Sequence, residues 1–323
     1  AISSTLLSLL RSGDHIVSST FLFGNTNSLF NTLKSLGIEI TFVDATDIVN
    51  VDAAIQANTK LVFVETIANP VTQVADLSAI GDLCEKQKLI YFVDNTMTSP
   101  CLFLPIDVKA SLIINSLTKY IGGHGNALGG SVTDTGLYDW SNFDNIYDNY
   151  KNNDSSQWGI TQIRKKGLRD FGAALGPEAA HHISVGSDTL NMRIMHACEN
   201  ALAIAELCEQ HPKVKNVSYP GLPAHPQHGR ACELFKHFGA ILSIELESNI
   251  DCFHFLNSLK LIVSSSNLGD NRSLGIPVAH TIYFEMGPER RASMGIADSM
   301  VRFSIGIEDK KDLINDFNQA LGA

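Results

Sequence analysis

The period of the hydrophobic pattern switches repeatedly through the first half of the chain. Ile2, Leu6, Leu7 and Leu10 recur at helical spacing, which predicts an amphipathic helix over 2–10. A short strand follows at His15–Ser18, then a helix at Asn27–Leu36 stopped by Gly37, then a strand at Ile38–Val43. The pattern continues with a short helix at Asp52–Gln56, a strand at Leu61–Glu65, a helix at Ser78–Lys86 and strands at Leu89–Val93 and Leu112–Ser116. The strands are nearly continuous apolar runs, as strands covered on both faces require. Regular βα alternation of this kind predicts an α/β fold built on a mostly parallel sheet.

From Thr133 to Lys166 the texture changes. Tyr138, Trp140, Phe143, Tyr147, Tyr150 and Trp158 are set among polar residues with little helical period. This segment reads as a long surface excursion, packed by its aromatics and functional. Helical pattern resumes over Leu168–Gln210, with a break at Gly176-Pro177. The last third mixes strands (Ala240–Leu246, Val301–Ile305) with helices (Cys252–Leu259, Lys310–Leu321), a smaller α+β unit. Two domains are expected, 1–195 and 196–323, because 323 residues exceed the size at which one core stops growing. The chain opens at Ala1 inside a helical pattern with no cap or first turn, so a preceding segment is expected to be missing.

Composition narrows the partners. The net charge of −10 and the scattered Lys and Arg residues argue against nucleic acid or an anionic membrane surface. No apolar run approaches the roughly 20 residues of a membrane span. Six cysteines lie far apart without a C-x-x-C pair, and read as reduced thiols of a cytoplasmic protein. His225-Pro226-Gln227-His228 lies in a proline-rich loop and His181-His182 has no partner at ligand spacing, so no metal is expected.

Candidate chemistry concentrates between Leu89 and Gly125. One apolar strand ends at Asp94, and a second ends at Ser116-Leu117-Thr118-Lys119 with glycines beyond. Asp and Lys are seldom buried without a partner. In open α/β sheets, ligands bind outside the carboxyl ends of the strands. Lys119 at such an end is either a solvated lysine or, in a desolvated pocket, a nucleophilic amine for an aldehyde cofactor. Asp94 is either a helix cap or the carboxylate that holds a protonated pyridine nitrogen. Phe23 could be core or could stack on a ring, and Asn69 could donate to a ring oxygen. Arg302, inside the apolar run Met300–Ser304, needs an anionic partner such as a substrate carboxylate.

These motifs together carry a resemblance. Val64-Glu65-Thr66-Ile67-Ala68-Asn69-Pro70, Val93-Asp94-Asn95-Thr96 and Ser116-Leu117-Thr118-Lys119-Tyr120-Ile121-Gly122-Gly123-His124 resemble the pyridoxal-phosphate-dependent enzymes of cysteine and methionine metabolism. Tyr219-Pro220-Gly221-Leu222, Leu268-Gly269-Asp270 and Val301–Asp309 extend the likeness over essentially the whole chain. The resemblance implies fold type I, the aspartate-aminotransferase-like architecture, and a homotetramer built from dimers. It implies pyridoxal 5'-phosphate held covalently on Lys119, which would then shuttle protons. It further implies that Asp94 pairs with the pyridine nitrogen, that Thr96, Ser116 and Thr118 help hold the cofactor, and that Phe23 stacks on its ring. Asn69 would contact the ring hydroxyl, and Arg302 with Asn267 would bind substrate. The family's N-terminal segment and glycine-rich turn, which complete the phosphate site, would precede Ala1.

Family lyases usually carry tyrosine where this chain has Phe23, and that hydroxyl is thought to protonate a thiol leaving group. Phe23 has no proton to give. An acyloxy group leaves with less acid help, so the departure favours O-acetylhomoserine as substrate, with sulfide adding to give homocysteine. The 138–158 excursion, Ser265–Asp270 and Thr281–Gly287 look most like the O-acetylhomoserine sulfhydrylase branch. The competing readings are a methionine or cystathionine γ-lyase, a cystathionine γ-synthase, and an inactive family member.

Overall fold

The computed structural model describes residues 1–322. Its first sheet has strands β1 (His15–Ser19), β2 (Glu39–Val43), β3 (Thr59–Glu65), β4 (Ile90–Asp94), β5 (Leu112–Ser116) and β6 (Gly130–Asp134), in the order β2-β1-β3-β4-β5-β6. All pairings are parallel except β5 with β6. Helices α1 (Ile2–Leu9), α2 (Gly24–Ser35), α3 (Ile48–Ala53) and α4 (Leu77–Gln87) alternate with the strands.

Successive residues of a strand face opposite sides of the sheet, and here both sides are apolar. Leu61 and Phe63 of β3, and Ile90 and Phe92 of β4, join the cluster beneath α1 and α2. Their neighbours Val62, Val64, Tyr91 and Val93 join the cluster on the other face. Phe30 of α2 meets Phe63 edge-on at 5.3 Å, and Phe63 meets Phe92 in the same way at 5.3 Å. The opposite cluster continues across the helix Leu190–Glu209 into the second sheet, taking in Ile244, Phe255, Phe303 and Phe317. The expected division at 195/196 falls inside that helix.

The second sheet runs β7-β8-β11-β10-β9, with β7 (Val214–Ser218), β8 (Ile241–Leu246), β9 (Val263–Ser264), β10 (Leu274–Pro277) and β11 (Met300–Ser304). It is antiparallel except for the short β9–β10 pair.

Several sequence expectations are corrected. The short helix lies at Ile48–Ala53, not 52–56, because the Asp47 carboxylate accepts from Val49 N–H at 2.9 Å and starts it early. Residues 130–134 form an edge strand that the pattern did not reveal, since Gly-Ser-Val-Thr-Asp carries little apolar signal. β7 was hidden by its polar residues, and β9 and β10 by their brevity. The helical stretch after 168 breaks twice, before Pro177 and again at 188–189. The aromatic excursion serves the core: Tyr138, Trp140 and Phe143 are buried against α1, and none of the segment's aromatics reaches the cavities described next.

Candidate active site

The site follows from strand register. β3 and β4 pair Phe63 with Phe92, and two residues further Glu65 with Asp94. The alternation that buries the two phenylalanines side by side therefore carries two carboxyls to the same face at the strand ends. β5 extends the row, since Asp94 pairs with Ile114 and Ser116 lies two residues on. Glu65, Asp94 and Ser116 line one cavity of about 480 Å³, together with Phe23, Asn69, Thr96, Thr118, Lys119 and the first turn of α1. A smaller chamber of about 300 Å³ adjoins it, lined by Ser266, Asn267, Ile282 and Tyr283. Phe23, Asn25 and Lys119 belong to both walls.

Thr96 ties two strand ends together. Its N–H donates to Asp94 Oδ1 at 2.9 Å, and its hydroxyl accepts from Ser116 N–H at 2.8 Å. Thr118 is engaged with Gly129, donating to its carbonyl at 3.2 Å and accepting from its N–H at 2.9 Å. Lys119 sits in a one-turn π-helical segment, Leu117–Ile121, in a non-helical conformation (φ −87°, ψ −130°). Its amine donates to Asn267 Oδ1 at 2.5 Å. Burial, and then the nearby Arg302 charge, lower its pKa to about 8.

Arg302 lines neither cavity. It is fully buried, and Nη2 donates to the carbonyls of Ser266 at 3.1 Å and Asn267 at 2.8 Å, backing the wall of the smaller chamber. Burial lowers its pKa to about 10. Asp94 is held above its ordinary carboxylate pKa by desolvation, against the opposing hydrogen bonds from Thr96. Of the expected site residues, Phe23, Asn69, Asp94, Thr96, Ser116, Thr118 and Lys119 meet on the larger cavity, Asn267 lies on the smaller, and Arg302 stands behind it.

Three contributors were missed in the sequence. Glu65 ends its strand as Asp94 does, and that parallel was the available signal. Arg193, on the helix Leu190–Glu209, donates to the carbonyls of Tyr120, Ile121 and Gly186, fastening the backbone that follows Lys119. Its charge inside an apolar helix face could have marked it. Gly269 packs its backbone on Lys119; with φ at +72°, an added Cβ would come within 2.6 Å of Tyr120 N and 3.1 Å of Lys119 Cβ.

The Cys/Met metabolism PLP-dependent enzyme model matches residues 1–322. The chain belongs to this family. It is 37% identical over 326 residues to an L-methionine γ-lyase of Fusobacterium nucleatum subsp. polymorphum, covering 99% of this chain and 77% of the relative. It is 33% identical over 340 residues to an O-acetyl-L-homoserine sulfhydrylase of Leptospira meyeri, covering 98% of this chain and 76% of the relative. A solved Campylobacter jejuni structure, described as an O-acetylhomoserine (thiol)-lyase with N'-pyridoxyl-lysine-5'-monophosphate, superposes with a TM-score of 0.92 at 32% identity. It covers all of this chain and 80% of that one. The chain is thus an α/β enzyme of fold type I with pyridoxal phosphate as cofactor, in a family that performs γ-replacement and γ-elimination.

The residues present fit that group. Both polar side-chain atoms of Asn69 are buried without a hydrogen-bond partner, as are Nε and Nη1 of Arg302. Among the described residues, neither Asp94 nor Lys119 forms an ion pair. Buried polar atoms left open in this way call for a ligand that pairs with them.

Proposed function

We propose that this chain is a γ-replacement transferase that takes O-acetylhomoserine and sulfide to homocysteine. The observation that carries this reading is Phe23, which stands in the wall between the two chambers without a hydroxyl. Among the ionisable groups lining the smaller chamber are Lys119 and Tyr283, and Tyr283 already donates its hydroxyl proton to the Asn69 carbonyl at 2.6 Å. A leaving group that departs without strong acid assistance suits such a chamber.

When bound, pyridoxal phosphate supplies an electron sink for negative charge on the substrate carbons. Asp94 would hold the ring nitrogen in its protonated form, Phe23 would stack on the ring, and Asn69 would meet the ring oxygen. Thr96, Ser116 and Thr118 would help hold the cofactor, beside the N–H groups of the first turn of α1. Lys119, whose amine has a pKa lowered to about 8 by burial, would hold the cofactor and would be placed to move protons at the substrate's α- and β-carbons. Arg302, with two nitrogens still unpaired, and Asn267 would orient the substrate through its α-carboxylate. The same reading expects a homotetramer built from dimers, located in the cytoplasm.

Product analysis tests it. O-acetylhomoserine with sulfide should give homocysteine, with little α-keto acid and ammonia. Methionine γ-lyases among the relatives support a second reading, γ-elimination. Efficient release of α-ketobutyrate from methionine would establish that reading and sink ours. Phe23→Tyr, which restores a phenol at the wall, should raise the ratio of elimination to replacement. An inactive protein would develop no visible cofactor absorbance band that Lys119→Ala abolishes.

A further inference from the structure

The mechanism leaves the buried carboxyl of Glu65, on the wall of the larger cavity, unused. Glu65 is the in-register neighbour of Asp94 across a parallel strand pair, and both line the larger cavity. Glu65 is only 7% exposed. Its Oε1 accepts from the backbone N–H of Phe23 at 2.8 Å, and Phe23 is the N-cap residue just before α2. That helix end has no side-chain cap of its own, so the Glu65 carboxyl replaces one.

Lys119 is a cation on the same cavity, but its amine donates to Asn267 Oδ1 and, among the described residues, forms no ion pair with either carboxyl. From β4 the facing group is Asp94, and from the loop after β10 it is the Tyr283 phenol, which interacts electrostatically with Glu65. The start of α2 contributes Phe23, Gly24 and Asn25, none of them charged. Among the described residues, neither carboxyl is in an ion pair. Two carboxyls side by side in a desolvated wall do not both ionise. Each accepts one backbone N–H, Glu65 from Phe23 and Asp94 from Thr96, so burial is what separates them, and Glu65 is the more buried of the two.

We propose that Glu65 and Asp94 form an acid–carboxylate pair in which Glu65 keeps the proton, making it a neutral positioning residue that clamps Phe23 and leaves the charge to Asp94. The inference rests on reading Asp94 as the partner of the cofactor's ring nitrogen and Phe23 as the residue stacked on it. A second anion beside Asp94 would double the charge presented to a single ring cation. A neutral acid keeps the match at one to one while its other oxygen fixes the height of the aromatic ring. Burial first, and the Asp94 charge second, push the Glu65 carboxyl well above its ordinary range, in agreement with this geometry.

Infrared difference spectroscopy of the cofactor-free full chain reads the proton directly. A protonated-carboxyl stretch should persist at neutral pH, vanish in Glu65→Gln, and titrate away at lower pH in Asp94→Asn, where the neighbouring charge is gone. Absence of the band, or its survival in Glu65→Gln, would overturn the proposal. Pyridoxal phosphate binding to the same proteins supplies the second arm. Glu65→Gln, the isostere of the neutral acid, should bind within about threefold of wild type, whereas Glu65→Ala, which strands the Phe23 N–H, should bind roughly tenfold more weakly. Equal weakening in both variants would mean that Glu65 acts as an anion, and would also sink the idea. If Glu65→Ala fails to fold, the infrared arm and Glu65→Gln decide alone. Failure of wild type to bind the cofactor would count against the site reading instead, and the infrared result would stand apart from it.

Discussion

Lys119 shows how one buried amine links stability to reactivity. Its pKa falls from 10.5 to about 8 in the folded chain because burial penalises the ammonium. Between those values the unfolded chain binds the proton and the folded chain does not, so the stability of the cofactor-free protein should rise as pH climbs from 8 to 10.5. Lys119→Ala should flatten the curve in that window, as read by denaturant melts at several pH values; an unchanged slope would contradict the assignment. Arg302 makes a second prediction at this scale. Arg302→Lys keeps a charge but loses the planar fork. A loss of roughly 10- to 100-fold in kcat/KM, carried mainly by KM, is expected. The sequence made Lys119 and Asp94 legible because charged residues ended apolar runs. It left Glu65 obscure, because its significance depends on which residue lies beside it in the next strand, and register is not written in one strand alone.

At the scale of elements, the turn carrying Lys119 is held from two sides. Arg193 gathers the carbonyls of Tyr120, Ile121 and Gly186, and Gly269 presses its backbone onto Lys119 from the other sheet's connection. Arg193→Met would remove the guanidinium's bonds to three carbonyls, of which Gly186 keeps the longer ones from Thr189, and a loss of about 3 kcal/mol in stability is expected. Thermal unfolding measures it, and a shift within error would show that solvent takes over the carbonyls. Gly269→Ala would place a methyl against the lysine turn at positive φ, so cofactor occupancy should fall even where the fold survives. The long βα alternation was readable because buried parallel strands are continuous apolar runs. The edge strand β6 and the short strands of the second sheet were not, because edges tolerate polar residues and two to five positions carry too little pattern. The aromatic segment misled for a different reason. Its rings pack beneath α1, and sequence alone does not distinguish rings that bind a ligand from rings that fill a core.

Over the whole molecule, one apolar cluster passes from the first sheet through the helix Leu190–Glu209 to the second. Both tryptophans, Trp140 and Trp158, lie with the first sheet's other face. Tryptophan fluorescence therefore follows the first sheet, while far-ultraviolet circular dichroism follows both. A continuous core predicts that the two transitions coincide in the cofactor-free chain; separated midpoints would mean that the sheets melt independently. Among the described residues no helix is long and apolar enough to cross a membrane.

The Thr96 bridge gives the larger cavity a fixed gauge. One residue holds the Asp94 carboxylate with its N–H and the start of the lysine turn with its hydroxyl, so the span between the two strand ends cannot stretch without breaking a hydrogen bond. A ligand anchored at both ends is thereby measured for length as well as charge. A cofactor analogue whose phosphate arm is one methylene longer should compete poorly with pyridoxal phosphate, and Thr96→Ala should admit it more readily.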